Sequence, residues 1–232
     1  MIYVRNNAAK QWILEELDHR FMDGAVRILD LGCGDAGEWA AFLPTHPETR
    51  VVGIDTDARV IARGRASFHA EPRIDLRVFD AQERLTETFD VVVAMSAIEH
   101  VVDRPAFLRT TWSALRSGGT AYLNYDVGHF RSRDVKERIM VPVSQMLAMV
   151  GIEGPYMKRV HDAAFRKQAE TVGFRVLTTK KHNLAAMKKI MKGAEEPAIL
   201  EWFAFERKLN DLFPPERLDP VMLSTTLVVQ KP

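Results

Sequence analysis

Val26-Arg27-Ile28-Leu29-Asp30-Leu31-Gly32-Cys33-Gly34-Asp35-Ala36-Gly37 runs as a short apolar segment into a glycine-rich turn, and residues 38–43 behind it have helical character until Pro44 stops them. Strand, turn and helix in this order form the opening unit of a parallel α/β sheet. The turn satisfies G-x-G-x-x-G at Gly32, Gly34 and Gly37. Glycine there lets backbone approach a ligand closely, and the start of the next helix offers unpaired N–H groups.

The alternation continues outward from this unit. Residues 50–55, 74–79 and 89–95 read as strands and 58–68 as a helix; 104–116 reads as a helix stopped by Ser117-Gly118-Gly119, with a fifth strand at 120–125. Upstream, Ala8, Trp12, Ile13, Leu17 and Phe21 fall at helical spacing within residues 8–22. The run Val91-Val92-Val93-Ala94-Met95 is apolar on successive residues, the pattern of a strand covered by helices on both faces. The expected class is α/β.

Residues 127–160 break the pattern and read as a polar lid with a short helix at 143–150. A helix at 162–172, a stop at Gly173 and a strand at 174–179 follow, then helices at 184–192 and 199–212 and a last strand at 225–229. The expected organisation is one domain over residues 1–232. It comprises an N-terminal helix (1–24), a cofactor-binding half (25–126), the lid (127–160) and a C-terminal half (161–232) with a helical insertion at 184–213.

Composition narrows the function classes. With 232 residues, 47% apolar and 27% charged, and only 13 Gly and 11 Pro, the chain can bury a sizeable core and is neither disordered nor collagen-like. Its 32 basic and 31 acidic residues leave a net charge of +1, too little for a general field that attracts nucleic acid or an anionic membrane. The single cysteine, Cys33, excludes an internal disulfide and points to a reducing cytoplasm. There is no signal-peptide core and no apolar run of about 18 residues, so no membrane partner is expected.

Asp55 lies 18 positions beyond Gly37 at the end of the second strand, where a carboxylate accepts hydrogen bonds from both hydroxyls of a ribose. A nicotinamide cofactor and S-adenosylmethionine both carry that ribose. Asp30 and Asp35 put negative charge beside the turn; this repels a pyrophosphate and favours a ligand bearing a sulfonium and an ammonium. An NAD-dependent oxidoreductase stays as the alternative, as does a non-catalytic partner protein of the same fold.

Six segments in order, Ile28-Leu29-Asp30-Leu31-Gly32-Cys33-Gly34, Gly53-Ile54-Asp55, Phe79-Asp80, Phe89-Asp90-Val91-Val92, Ile98-Glu99-His100-Val101 and Leu115-Arg116-Ser117-Gly118-Gly119, resemble the class I S-adenosylmethionine-dependent methyltransferases. The resemblance covers about residues 25–126 and reaches the C-terminal third only in outline. It implies a Rossmann-like doubly wound sheet of seven strands with the last antiparallel. It further implies S-adenosyl-L-methionine as cofactor, S-adenosyl-L-homocysteine as product and a small-molecule acceptor.

Carried over residue by residue, the resemblance puts Asp30, Gly32 and Gly34 around the methionine part and Asp55 on the ribose. Thr56 and Asp57 border the adenine, Asp80 accepts from its amino group, Ala81 offers backbone, and Ser96 contacts the methionine amino group through its backbone. Asp35 and Asp57 also suit plain helix caps, and Cys33 a packing role.

Methyl transfer to a hydroxyl or an acidic carbon entails loss of a proton; a general base is useful there but not obligatory, and histidine titrates in the right range. His129, straight after the fifth strand at the lid mouth, and His100, after the fourth, are the candidate catalytic residues. Each also reads as a loop-fixing or packing histidine, and no metal site is expected. Phe130, Tyr156, Trp202, Phe203 and Phe205 supply aromatic surface for the acceptor pocket. A competing reading puts Trp202, Phe205 and Leu209 on one buried helix face. The lysines at 180, 181, 188, 189 and 192 read as a solvated helix face. The fourth strand ends in Ala94-Met95-Ser96-Ala97, lacking the Asn/Asp-Pro-Pro-Tyr/Phe and Pro-Cys motifs of base-modifying enzymes, so nucleic acid is not expected as a substrate. The oligomeric state is not legible.

Overall fold

The computed structural model of the chain describes residues 1–21, 24–130, 135–149 and 156–232. In chain order the elements are α1 (Ala8–Arg20), β1 (Arg27–Leu31), α2 (Trp39–Phe42), β2 (Arg50–Asp55), α3 (Ala58–Ser67), β3 (Ile74–Val78), β4 (Phe89–Met95), α4 (Arg104–Ala114) and β5 (Leu115–Asp126). They continue with α5 (Val135–Met149), α6 (Asp162–Val172), β6 (Arg175–Leu184), α7 (Ala185–Ile190), α8 (Glu196–Leu212), α9 (Pro215–Leu218) and β7 (Met222–Gln230).

The seven strands lie in the order β3-β2-β1-β4-β5-β7-β6. The first five are parallel, and β7 sits between β5 and β6, antiparallel to both. The reversal of order between β1 and β4 opens a crevice at the carboxyl ends of the strands, where sheets of this kind bind ligands. All of β1 except Arg27 is buried, because α4 and α6 cover a core around Leu29, Val92, Phe107 and Phe165, while α1, α2 and α3 cover one around Ile13, Ile28, Trp39 and Val91.

Local signals set most boundaries. Asn7 Oδ1 caps α1 by accepting from Ala9 and Lys10 N–H, Asp57 caps α3, and Asp103 caps α4. Gly173 ends α6 in the left-handed region at φ 117°.

Elsewhere the chain departs from its sequence pattern. Helix α4 ends at Ala114, and Leu115 already pairs with Phe89. Residues 116–119 bulge before Thr120 takes up the register with Val91, so the two glycines lie inside the strand's path rather than at a helix stop. The lid helix extends back to Val135 and carries Pro142, while residues 131–134 and 150–155 of the expected lid lie outside the described residues.

β6 runs to Leu184 and draws Lys180 and Lys181 into the sheet. Lys181 is therefore buried, paired with Asp162 and Asp219 and bonded to Thr225 Oγ1 at 2.9 Å, instead of lying on a solvated helix. On α8 the buried face is Ile199, Trp202, Phe203 and Glu206; Phe205 is exposed. Glu206 accepts from Asn183 and Leu184 N–H, and Asn210 both accepts from Lys181 N–H and donates to its carbonyl along the outer edge of β6.

Candidate active site

The carboxyl ends of β1, β2, β3 and β4 enclose a cleft of about 830 Å³. Gly32, Asp55, Thr56, Asp57, Asp80, Ala81, Ser96 and His100 all reach its wall, so the sheet brings together most of the residues singled out above.

Gly32 has φ 75°, and a Cβ there would stand 2.6 Å from Ala97 Cβ. Only glycine leaves the cradle open at this position. The turn is tied to the second strand by Gly32 and Cys33 N–H, which donate to the Ile54 carbonyl at 2.8 and 3.0 Å.

Asp55 is oriented from both sides: Oδ2 accepts from Gly34 N–H and Oδ1 from Asp57 N–H, each at 2.9 Å. With the carboxylate held by backbone, its remaining lone pairs suit a pair of vicinal hydroxyls. Gly34 therefore serves the site through its N–H, one step behind the wall. Asp80 is held in turn by Gln82, whose backbone N–H donates at 2.8 Å and whose amide donates at 3.2 Å. Gln82 Oε1 accepts from Asp103 N–H at 2.6 Å, which couples this loop to the start of α4. No spacing rule pointed to Gln82.

Asp30 lies behind the turn rather than on the cleft wall. It is 1% exposed, its Oδ2 accepts from Trp39 Nε1 at 2.8 Å, and Oδ1 has no partner among the described residues. Burial pushes its carboxyl up to about 7; Glu38 and Asp55 add to the rise, and the Trp39 bond and Lys10 oppose it. The negative charge read from the sequence at this turn is thus only partly present near neutrality. Asp35 accepts from Gly37 N–H at 3.3 Å, and Asp57 both caps α3 and reaches the cleft. Burial raises the Cys33 thiol far above its ordinary range, in keeping with a packing role.

His100 is exposed on the cleft wall with Nδ1 3.0 Å from the Tyr156 carbonyl. A carbonyl only accepts, so Nδ1 carries the proton and Nε2 of the neutral ring keeps its lone pair. Around it, Lys158 N–H donates to the Glu99 carbonyl at 2.9 Å, and Arg104 donates to the carbonyls of Ile98, Lys158 and Arg159. Arg104, which sequence reasoning missed, thereby pins residues 156–160 against the His100 loop. His129 falls in a short helical turn, Gly128–Phe130, and its side chain lies outside the described residues.

The aromatic residues expected over the acceptor do not converge. Trp202 and Phe203 are buried with Ala8 and Ile199, Tyr156 is buried, and Phe205 points to solvent. A larger cavity of about 1040 Å³ lies beside β6 and α6. Its buried cation, Lys181, is already paired, so the chemistry favours the smaller cleft. Among the described residues no helix is long and apolar enough to cross a membrane.

Residues 29–121 match a family model described as a methyltransferase domain. The chain is 33% identical over 132 residues to a ubiquinone biosynthesis O-methyltransferase of Rhizobium rhizogenes, covering 53% of this chain and 50% of that protein. It is 29% identical over 104 residues to a trans-aconitate 2-methyltransferase of Deinococcus radiodurans, covering 45% and 39%. The alignments thus span half or less of the length of these curated relatives.

Among solved structures, an S-adenosylmethionine-dependent methyltransferase from Mesorhizobium loti superposes with a TM-score of 0.62 at 17% identity, covering 96% of this chain and 97% of that one. The cyclase SpnF gives 0.62 at 18% identity, covering 95% and 81%. These two likenesses establish the fold; a cyclase among them shows that the fold alone does not assign a reaction.

Proposed function

We propose, from the premise that this chain carries a methyltransferase domain of the class I S-adenosylmethionine-dependent family, that it transfers a methyl group from S-adenosyl-L-methionine to a small-molecule acceptor. The observation that carries the reading is Asp55: both carboxylate oxygens are fixed by backbone N–H groups beside a glycine cradle that no side chain fills. This donor and acceptor set fits the cofactor. Asp55 would hold the ribose hydroxyls, Asp80 the adenine amino group beside Ala81 and Thr56, and Gly32 and Ser96 the methionine part.

When bound, the cofactor supplies an electrophilic methyl on a sulfonium. The chain's own part is to align an acceptor, keep water away and accept a proton. His100 Nε2, left with its lone pair by the bond from Nδ1 to Tyr156, is the base we assign for a hydroxyl acceptor. His129, at the end of β5, remains a second candidate by position. We take residues 1–232 as one unit, with 25–126 holding the cofactor and the chain after Asp126 shaping the acceptor side. We further read the protein as cytoplasmic and its acceptor as other than nucleic acid, on the single cysteine and the near-zero net charge.

The antiparallel placement of β7, which the family resemblance implies, supports this reading over the nicotinamide alternative. The test is isothermal titration with S-adenosylhomocysteine and, separately, with NAD. Micromolar affinity for the first, about -8 kcal/mol, with loss in Asp55→Ala is expected. Binding of NAD alone would overturn the assignment.

A further inference from the structure

Residues 156–159 stand between α5 and α6 in the chain, and the carbonyl of every one of them accepts from a side chain. Tyr156 accepts from His100 Nδ1 at 3.0 Å and Met157 from Gln145 Nε2 at 3.1 Å, while Lys158 and Arg159 both accept from Arg104. Lys158 and Arg159 are exposed, so water alone would satisfy carbonyls in such a segment. Four side chain bonds in succession fix where the segment lies.

Arg104 is the central donor. It is the first residue of α4, where a positive charge opposes the helix dipole, so the helix itself does not account for an arginine there. Its guanidinium is shared between two stretches of chain: Nε donates to the Ile98 carbonyl at 3.2 Å, and the two terminal nitrogens donate to Lys158 and Arg159. Ile98 is two residues before His100, and Lys158 is two residues after Tyr156. The arginine therefore staples together the two stretches that the His100–Tyr156 bond joins, and Lys158 N–H adds a rung to the Glu99 carbonyl at 2.9 Å. Three donors in one rigid plane can do this; the single ammonium of a lysine cannot.

A neutral imidazole carries one proton, and the partner of each nitrogen decides which of them holds it. The Tyr156 carbonyl is the acceptor that selects Nδ1. We propose that Arg104 is a positioning residue for His100: by holding the 156–159 segment against the His100 loop it keeps the Tyr156 carbonyl on Nδ1, so that the proton stays there and Nε2 keeps its lone pair. Through Gln145 the same segment is tied to α5, which gives the lid helix and the ring a common anchor. The inference rests on the assignment of His100 as the base made above.

The test reads the ring directly. The imidazole nitrogens of isotope-labelled protein are observed by NMR at a pH where the rings are neutral, and His100→Ala identifies the signals of His100. In the wild type the form protonated at Nδ1 is expected to dominate; a ring protonated at Nε2 overturns the proposal. Arg104→Ala is expected to shift the ratio of the two forms about fivefold toward Nε2–H, the worth of one neutral hydrogen bond. S-adenosylhomocysteine affinity should stay within about twofold, since Arg104 bonds to neither the glycine turn nor Asp55. An arginine that merely supports the fold would lower the melting temperature and leave the ring signals in place, and that result overturns the proposal.

Arg104→Lys covers the case in which Arg104→Ala does not fold. It keeps the charge and loses the fork, so the ratio should move in the same direction with a melting temperature close to that of the wild type; an unchanged ratio overturns the proposal. Failure of the underlying reading looks different. Undiminished turnover of a hydroxyl acceptor by His100→Ala overturns the assignment of the base, whereas ring signals that ignore Arg104 overturn the positioning role alone.

Discussion

The Trp39 indole Nε1 donates to Asp30 Oδ2 at 2.8 Å, a bond that holds a carboxyl buried beneath the glycine turn. The pairing lets an acidic group sit behind the ligand cradle without reaching its wall, and the burial that it only partly offsets makes the fold sensitive to pH.

In the unfolded chain Asp30 ionises near 3.8, in the fold at about 7. Because the folded value is raised, the neutral carboxyl stabilises the fold fully below about pH 4, and that contribution is lost as pH rises to about 7. A gap of about three pKa units corresponds to about 4 kcal/mol at most. Asp30→Asn keeps the acceptor for Trp39 and removes the titration. Urea unfolding should show a flatter stability profile between about pH 4 and 7 and a gain of about 1–3 kcal/mol at pH 8. A profile identical to the wild type would refute the account.

Gly32→Ala meets two obstacles at once, a backbone at φ 75° and a contact of 2.6 Å with Ala97 Cβ. Thermal unfolding should register a loss of about 2 kcal/mol or more, with S-adenosylhomocysteine affinity lost in parallel. An alanine variant as stable as the wild type would show that the loop at Ala97 yields freely.

Asp55→Asn places an amide N–H against either Gly34 N–H or Asp57 N–H, since both carboxylate oxygens accept from backbone. The expected cost is about 1–3 kcal/mol of stability together with a tenfold to hundredfold loss of S-adenosylhomocysteine affinity, read by calorimetry. Affinity within twofold of the wild type would remove Asp55 from the ribose site.

His100→Ala leaves the glycine turn and Asp55 untouched. S-adenosylhomocysteine affinity should stay within about twofold, while kcat with a hydroxyl acceptor falls about a hundredfold, the scale of a lost general base. An equal fall in affinity and kcat would make His100 a loop support instead.

What the sequence made legible follows from where each cause lies. Gly32, Asp55 and Asp80 announce themselves because strand ends, turns and carboxylates recur at short spacing, and the parallel sheet places successive strand ends side by side. Trp39, Gln82, Arg104 and Asn124 act through partners that come near only in the folded chain; Asn124 meets Ser224 a hundred residues away. Lys181 was misread for a related reason. A lysine in a basic run suits a solvated helix, and only the arrival of Asp162 and Asp219 from α6 and the chain after α9 makes its burial tolerable. The aromatic residues of α8 carried no signal for function because helical spacing alone does not say which neighbour a face meets.

The outer margin of β6 has a consequence for association. Asn210 occupies both backbone groups of Lys181, and Glu206 occupies the N–H groups of Asn183 and Leu184, so side chains of α8 stand where an eighth strand would pair. This end of the strand is closed by the protein's own helix to edge-to-edge recruitment of another chain.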